Sequence, residues 1–233
     1  DEHWYAATSE AFRLKVYTMP TRIEDYRPEP WGWSRASRKA FLDVGVRAEA
    51  LPDDEALTRM RLLSSRRTTA LLSRGMAKAL PFAVTAPPQI FTDIDALAKC
   101  VAQMPHGCIA KMPWSNAGRG NINSNITPST EMIRRCADGI KRYGMVCVEP
   151  YHDRVADFAM LWMARDDGTV EYTGLSLFET TDTGAYTANI ILPDSDIRTK
   201  LQQYIPTKQL DMVVQTMGPE LERIINGAYH GPL

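Results

Sequence analysis

Residues 111–121, with the sequence KMPWSNAGRGN, constrain the fold of the chain more than any other stretch. They follow the apolar run Cys108-Ile109-Ala110, which is short and small enough to form a buried strand. A strand that ends in Lys111 and opens into a loop of small residues has a phosphate-binding mechanism, because small residues leave backbone N–H groups free to point at an anion. The segment therefore predicts a strand and a loop in which Lys111 and Arg119 supply positive charge.

Two less specific interpretations of this segment compete with phosphate binding. Lys111 can be a surface lysine whose aliphatic stem covers apolar groups, and the loop can be an ordinary connection between a strand and a helix. The loop contains neither the GxxxxGK motif followed by Ser or Thr nor the GxGxxG motif, so the two best-known phosphate-binding fingerprints are excluded. The rest of the chain has to distinguish between these interpretations.

Composition and charge exclude several classes of protein. With 233 residues, of which 44% are hydrophobic, the chain can form a core in one large domain or in two to three small lobes. Its formal net charge of -1 provides no whole-chain attraction to nucleic acid or to a membrane surface. The longest apolar stretches are well below the roughly 20 residues of a membrane-spanning helix. The first ten residues, DEHWYAATSE, do not resemble a signal peptide, and we expect a cytoplasmic protein.

The cysteines are expected to be free thiols. None of them forms a CxxC pair, and each lies in an apolar or helical context, so a disulfide and a zinc site are both disfavoured. The sequence contains Cys100, Cys108, Cys136 and Cys147. We therefore assign no metal ligand among these residues.

Local patterns predict a mixed order of helices and strands. The predicted elements are a mainly helical region 35–75, a helix capped by Thr92, a strand 108–112, a helix that begins at Thr127-Pro128, strands 145–148, 157–163 and 170–178, and a helical region over about the last 40 residues. Gly45 predicts a helix end, and Pro52-Asp53-Asp54-Glu55 predicts a helix start. Asp166-Asp167-Gly168 predicts a hairpin turn. The prolines between residues 81 and 88 predict a connector, and residues 180–187 predict a polar loop.

The segment Glu149-Pro150-Tyr151 follows a buried strand. Because proline removes one backbone donor, the carbonyl of Glu149 and the N–H of Tyr151 are left as spaced hydrogen-bonding groups. Such an edge can read an adenine ring, although a strand that merely ends in proline is the simpler interpretation. Asp157, eight residues after Glu149, can accept hydrogen bonds from ribose hydroxyls or can simply begin the next strand.

The order of these features is more specific than any one of them. A strand ending in Lys111, a glycine loop, a helix, a strand followed by Glu149-Pro150-Tyr151, and Asp157-Phe158 opening an antiparallel hairpin together resemble the ATP-grasp superfamily over about residues 60–233. The segments Pro30-Trp31-Gly32-Trp33, Leu51-Pro52 and Leu63-Ser64-Ser65-Arg66-Arg67 are similar to a branch of uncharacterised bacterial ATP-grasp proteins. The resemblance implies an α/β (or α+β) two-lobed nucleotide-binding fold.

The resemblance also implies a set of site residues. Lys111 would be a phosphate-binding and catalytic lysine, with Arg119 as a second catalytic residue. The flexible loop that closes over the phosphates would include Ser115, Asn116, Gly118 and Gly120. Glu149 and Tyr151 would contact adenine, and Asp157 would accept from the ribose. The place of a further phosphate-binding lysine of the family holds Arg66 and Arg67, with Lys78 later in the chain, and we assign this role to Arg66.

The resemblance implies cofactors and boundaries as well. In the family, Mg²⁺ is held by late acidic and Glu-x-Asn residues on strands that follow a turn similar to Gly231-Pro232-Leu233, so we expect ligands for ATP-bound Mg²⁺ beyond Leu233. The chain is accordingly expected to be truncated and incomplete at both ends. The expected organisation is a mostly helical partial N-terminal region 1–75, a first ATP-grasp lobe 76–150 with the glycine loop, and the start of a second lobe 151–233.

The implied function is that of an ATP-dependent ligase. Such enzymes activate a carboxylate as an acylphosphate, which an amine or thiol then attacks, and the substrates would be small molecules or peptides. The alternative is a module that binds ATP without turnover. A nucleic-acid-binding protein that uses the pairs Arg66-Arg67, Arg134-Arg135 and Lys141-Arg142 is disfavoured, because the net charge is near zero and no stripe of alternating basic and aromatic residues is present.

Overall fold

The computed structural model of the chain describes residues 27–82, 85–115, 120–124, 129–181 and 184–233, except for the side chain of Ser124. Packing divides the chain into two units, one that ends at Thr58 and one that begins at Arg59. Among the described residues the helices are α1 (Arg35–Asp43), α2 (Asp54–Leu63), α3 (Arg66–Ala79), α4 (Ile94–Val101), α5 (Thr130–Tyr143), α6 (Asp194–Leu201) and α7 (Thr207–Ile225). The strands are β1 (Gln89–Phe91), β2 (Cys108–Lys111), β3 (Ile122–Ser124), β4 (Val146–Pro150), β5 (Asp157–Ala164), β6 (Val170–Thr180), β7 (Tyr186–Ile190) and β8 (Gly231–Pro232).

The first unit contains α1, a 3₁₀ turn at Ala48–Ala50 and the beginning of α2. Ser34 caps α1 through a reciprocal pair of hydrogen bonds with Ser37, which satisfies backbone donors that a helix start leaves free. Gly45, with φ +94°, follows the end of α1, and the predicted helix end is confirmed. Asp53 accepts from the Ala56 N–H at 2.7 Å at the start of α2, so the helix start predicted there is confirmed too.

The first sheet carries the strand that ends in Lys111. Its strand order is β1-β4-β2-β3, and all neighbouring strands are antiparallel. One face packs on α4 and α5 around a core that contains Cys108, Ala110, Val146 and Val148. These alternate residues of β2 and β4 point to the core, so the residues between them point to the opposite face. That opposite face bears Lys111 and the residues of the candidate site.

The second sheet has the order β7-β6-β5-β8, again antiparallel throughout. The turn Asp166-Asp167-Gly168 joins β5 to β6 with Gly168 at φ +86°, as predicted for an Asp-Gly hairpin. A bulge opposite Leu161 changes the register of the hairpin next to Gly174, whose φ is +147°. One face of this sheet packs on α6 and α7, with Leu177, Ile197, Leu201 and Leu210 in its core. No helix among the described ranges is long and apolar enough to cross a membrane.

Some predicted elements differ from the observed ones. The strands β1, β3 and β7 were not predicted, and the predicted loop 180–187 is wrong at its end because β7 begins at Tyr186. Each of these strands has only three to five residues. A short strand of this kind is formed by pairing with a neighbour rather than by a pattern of its own.

Two helices are also capped by residues other than the predicted ones. Asp93, not Thr92, caps α4 by accepting from the Ala96 N–H at 2.8 Å. Ser129 caps α5 by accepting from the Met132 N–H at 3.1 Å, whereas the predicted start at residues 127–128 lies outside the described residues. In both cases a stronger or equivalent capping side chain lies one or two residues further on.

A polar network joins α6 and α7 to the second sheet. Asp194 accepts from the Leu175 N–H at 2.8 Å, from the Arg198 Nε at 2.7 Å and from the Tyr172 hydroxyl at 3.2 Å. Arg198 also donates to Asp211 at 2.8 Å. Burial acts to raise the pKa of Asp194, but the hydrogen bonds from Arg198, Leu175 and Tyr172 outweigh it and hold the pKa below its usual value. The network therefore stabilises the place where the sheet bulges.

Replacing Asp194 tests this network. We expect Asp194→Ala to lower the free energy of unfolding by about 1–2 kcal/mol at pH 7, because it leaves the Leu175 N–H without an acceptor and removes one of the two carboxylates that accept from Arg198. A carboxylate with a lowered pKa stabilises the fold above its unfolded pKa of about 3.9, and that contribution is lost as the pH falls through the folded pKa. The difference between Asp194→Ala and the wild type, measured by urea unfolding, should therefore shrink below about pH 4.

The matched control is Asp196→Ala, because Asp196 lies in the same first turn of α6 and is exposed. Both variants lose the same favourable interaction with the helix dipole, so their difference reports on the network alone. Equal stability of the two variants would show that the Asp194 contacts contribute nothing.

Candidate functional site

An ion pair between Lys111 and Glu149 lies at the centre of the candidate site. Lys111 is the last residue of β2, and Glu149 is on the neighbouring strand β4. The register pairs Ile109 with Glu149 and Lys111 with Cys147, so these side chains share the face opposite the core. The Lys111 Nζ donates to the Glu149 Oε1. The two side chains are only 19% and 24% exposed, so the pair is partly shielded from water.

The thiol of Cys147 reports on the charges around this pair. Its pKa is raised to about 11, chiefly by burial and also by the negative charge of Glu149. The positive charges of Arg66 and Lys111 act on the same thiol in the opposite direction. Arg66, Lys111 and Glu149 therefore all contribute to the electrostatic environment of Cys147.

Ser115 and Gly120 flank the predicted glycine loop, and the structure describes both residues. The Ser115 N–H donates to the Met112 carbonyl at 3.2 Å, and the Ser115 hydroxyl donates to the same carbonyl at 3.0 Å. Gly120 has φ +78°, a conformation that favours glycine. A Cβ added at Gly120 would lie 4.0 Å from the Cβ of Ser115, so the two ends of the loop approach each other. The other predicted loop residues, Asn116, Gly118 and Arg119, lie outside the described residues.

Arg66 is the first residue of α3 and contacts the base of this loop. Its backbone N–H donates to the Pro113 carbonyl at 2.9 Å, and its Nη2 donates to the Ser115 carbonyl at 2.8 Å. The sequence indicated Arg66 as a phosphate-binding residue. The structure places it against one of the other predicted site residues, because one guanidinium nitrogen donates to the Ser115 carbonyl.

The remaining predicted residues, Tyr151 and Asp157, already have partners within the protein. The Tyr151 N–H, predicted to be free for a ligand, donates to the Gly107 carbonyl at 3.1 Å. The Asp157 Oδ2 accepts from the Thr180 hydroxyl at 2.6 Å and from the Arg154 Nη1 at 3.2 Å. Contacts of Tyr151 with adenine and of Asp157 with ribose stay predictions, and the Tyr151 amide is not available for the first of them.

Sequence reasoning missed two side chains near the site. Arg154 links Asp157 to the turn between β6 and β7, because its guanidinium also donates to the Thr180 hydroxyl and to the Thr181 carbonyl. Trp114, inside the quoted loop segment, packs against Arg61. No local pattern indicated the contact of Arg154 with Thr180 or that of Trp114 with Arg61, because these partners are 26 and 53 residues apart in the chain.

The described residues do not provide a metal site. No group of three or more His, Cys, Asp or Glu side chains lies close enough together among them to hold a metal ion. Mg²⁺ prefers several oxygen ligands in octahedral geometry, and Glu149 is already paired with Lys111. Among the described residues, therefore, no cluster of carboxylates is available to enclose Mg²⁺ without ligands from nucleotide phosphates.

Comparison with solved structures identifies the fold of the chain. No family model and no curated protein sequence matches the chain. Among solved structures, the biotin carboxylase domain of 2-oxoglutarate carboxylase from Hydrogenobacter thermophilus, in complex with MgADP, ADP and bicarbonate, matches 76% of this chain at 12% identity with a TM-score of 0.52. Neighbours of this kind are ATP-grasp enzymes. The chain has an ATP-grasp fold.

Further solved structures resemble the chain less closely. N5-carboxyaminoimidazole synthetase from Staphylococcus aureus in complex with ADP covers 67% of it at 14% identity and a TM-score of 0.44. L-amino acid ligase from Bacillus licheniformis covers 84% at 11% identity and a TM-score of 0.41. The chain spans 36%, 38% and 40% of the length of these three structures, respectively. The sequence prediction of an ATP-grasp fold is confirmed.

A glycine of α5 allows this helix to pack closely against side chains of the first sheet and of the residue that follows β2. A Cβ at Gly139 would lie 2.6 Å from the Sδ of Met112 and 2.9 Å from the Cγ2 of Val146. The side chains of Met112 and Val146 can occupy these positions because residue 139 has no side chain.

Substitution of Gly139 tests this packing. We expect Gly139→Ala to lower the free energy of unfolding by about 1–3 kcal/mol through overpacking, although alanine is the better helix former. Lys141→Ala, on the exposed side of the same helix, should change it by less than about 0.5 kcal/mol. Urea unfolding of both variants measures the difference, and a Gly139→Ala variant as stable as wild type would show that Met112 moves aside freely.

The thiols allow a prediction about reactivity. The pKa values of Cys108, Cys136 and Cys147 are each raised to about 11, chiefly by burial, so only about one thousandth of each is thiolate at pH 8. Cys100 is partly exposed. Alkylation of the native protein at pH 8, followed by peptide mass spectrometry, should modify Cys100 first and the other three only after unfolding. Equal labelling of Cys147 and Cys100 in the folded protein would contradict the burial described above.

Proposed function

We propose that this chain binds ATP at the edge of the first sheet where β2 and β4 end. The observation that supports this proposal most directly is the ion pair of Lys111 and Glu149 beside Arg66 and Ser115, within an ATP-grasp fold. Two cations and one carboxylate leave a net positive charge in a partly shielded place. Such an arrangement favours an anionic ligand such as a phosphate group.

The proposed site residues would bind different parts of ATP. Lys111 would neutralise charge on a nucleotide phosphate, and Glu149 would supply its counter-ion when no phosphate is bound. Ser115, Asn116, Gly118, Arg119 and Gly120 would form the loop over the phosphates. The side chains of Glu149 and Tyr151 would border the adenine, and Asp157, already held by Thr180 and Arg154, would accept from the ribose.

We further propose that the chain is part of an ATP-dependent carboxylate–amine (or thiol) ligase. ATP would supply the phosphoryl group that converts a small-molecule or peptide carboxylate to an acylphosphate, with ADP as leaving group. An amine or thiol would then displace phosphate. The ATP-grasp fold supports this proposal, and the enzymes named above include a carboxylase solved with bicarbonate and an amino acid ligase. Positioning and charge neutralisation by residues such as Lys111 would supply most of the rate enhancement.

The proposed lobes follow the two sheets. We propose residues 76–150 as the first lobe and residues 151–233 as the start of the second. The first sheet is formed within residues 89–150, and the second is formed within residues 157–232. That separation supports a boundary between residues 150 and 157.

Binding of ATP without turnover is the second candidate function. It is favoured by one observation, the lack of a metal-binding group of side chains among the described residues. Incubation with ATP, Mg²⁺ and a panel of amino acids distinguishes the two functions. Release of ADP that depends on both a carboxylate and an amine would support the ligase, whereas binding without ADP release would support the module.

Calorimetric titration of ATP into wild type and Lys111→Ala tests the site itself. We expect Lys111→Ala to weaken ATP binding about tenfold to hundredfold, because hydrogen bonds to charged groups contribute about 1.5–3 kcal/mol. The matched control is Lys99→Ala, which removes an exposed lysine from α4 and should leave the affinity unchanged.

Thermal unfolding of each variant shows whether the fold is retained, since Lys111→Ala also leaves Glu149 without its partner. Lys111→Gln serves as a second variant that can still donate a hydrogen bond to Glu149. Unchanged affinity in folded Lys111→Ala would place the nucleotide elsewhere, and no binding by wild type would overturn the proposed site.

A further inference from the structure

We infer that Arg61 and Arg66 are positioning residues for the proposed nucleotide site. Together with Ser64 and Ser65 they form the corner between α2 and α3, which we call the arginine corner (residues 61–66). The arginine corner holds the turn 113–115 and thereby fixes the strand end that carries Lys111. This inference rests on the proposed function, because Lys111 is the group whose placement matters.

Four contacts join the arginine corner to the turn 113–115. The Trp114 Nε1 donates to the Arg61 carbonyl at 2.9 Å, and the Arg61 guanidinium lies 4.0 Å from the centre of the Trp114 ring. The Arg66 backbone N–H donates to the Pro113 carbonyl at 2.9 Å, and its Nη2 donates to the Ser115 carbonyl at 2.8 Å. Every residue of the turn therefore contacts the corner through at least one directed interaction.

The hydrogen bond from the Arg66 N–H to the Pro113 carbonyl satisfies two groups that would otherwise lack partners. Pro113 is fully buried, so its carbonyl needs a donor within the protein. The Arg66 N–H belongs to the first turn of α3, where a helix provides no acceptor of its own. The bond between them joins the start of α3 to the turn without help from solvent.

Trp114 also contacts an aromatic side chain at the end of α5. Tyr143, the last residue of α5, packs edge-on against it with ring centres 6.5 Å apart. The Arg142 guanidinium lies 5.2 Å from the centre of the Tyr143 ring. Trp114 therefore contacts both the arginine corner and the end of α5, and a shift of the turn would break both sets of contacts.

The geometry of Arg66 favours a role through the turn. One of its guanidinium nitrogens is bonded to Ser115, and the same charge acts on the Cys147 thiol together with Lys111. Only Met112 separates Lys111 from Pro113 in the chain. A displacement of the turn would therefore move Lys111 away from Glu149. Lysine cannot replace Arg66 fully, because it lacks the planar fork.

The test combines a structural and a binding measurement on the whole chain. Hydrogen exchange of the amides in residues 112–115, performed without nucleotide and measured by mass spectrometry, reports on how firmly the arginine corner fixes the turn. Calorimetric titration of ADP measures the affinity of the proposed site for nucleotide. The variants are Arg66→Ala, Arg66→Lys and Trp114→Phe, which keeps an aromatic ring but removes the donor. Arg74→Ala, an exposed arginine of the same helix, is the matched control.

We expect Arg66→Ala to speed exchange in residues 112–115 about tenfold and to weaken ADP binding about tenfold, with smaller effects in Arg66→Lys and Trp114→Phe. Arg74→Ala should change neither quantity. In a double-mutant cycle with Lys111→Ala, removal of Arg66 should weaken binding by less than about twofold further, because Arg66 acts through Lys111.

Several outcomes would overturn the inference. Unchanged exchange in Arg66→Ala would show that the corner does not hold the turn. Faster exchange with unchanged ADP affinity would show that the hold does not matter to the site, and additive losses in the cycle would make Arg66 a direct ligand instead. If wild type binds no ADP while exchange in Arg66→Ala is faster, the proposed function and the positioning role both fail and only the structural hold stands.

Discussion

The antiparallel pairing of β2 with β4 determines where every group of the candidate site lies. Its register directs Ala110 and Val148 into the core and leaves Lys111 and Glu149 on the opposite face. A slip of one residue would reverse both faces, burying two charged side chains and exposing the apolar ones. The hydrophobic core of the first sheet and the position of the ion pair therefore depend on the same constraint.

Local sequence patterns were sufficient for the parts of the fold that depend on neighbouring residues. The strand before Lys111, the turn at Asp166-Asp167-Gly168 and the helix start at Asp53 each follow from a few adjacent side chains. The order of these parts was sufficient for the fold class as well, because it resembles that of the ATP-grasp superfamily. The short strands β1 and β7 were missed, because pairing with β4 and β6 forms them.

The contacts around the site could not be predicted in the same way. Arg66 and Ser115 are 49 residues apart, and Arg61 and Trp114 are 53 residues apart, so no local spacing indicates that they meet. The charges could be predicted, whereas their partners could not. Asp157 shows the same limit: its type and place indicated an acceptor for a ligand, but Thr180 and Arg154 from distant and neighbouring segments already donate to it.

The local charge of the site differs from that of the whole chain for a physical reason. A formal net charge of -1 gives the protein no long-range attraction for anions. Within the site, however, Lys111 pairs with Glu149 in a place where both side chains are partly screened from water, and the charge of Arg66 acts on the neighbouring Cys147 thiol. Charges interact more strongly there than at the surface. Under the proposed function, selectivity for a phosphate group would come from the placement of Lys111, and that placement depends on the contacts of Arg66 with the neighbouring turn at Pro113 and Ser115.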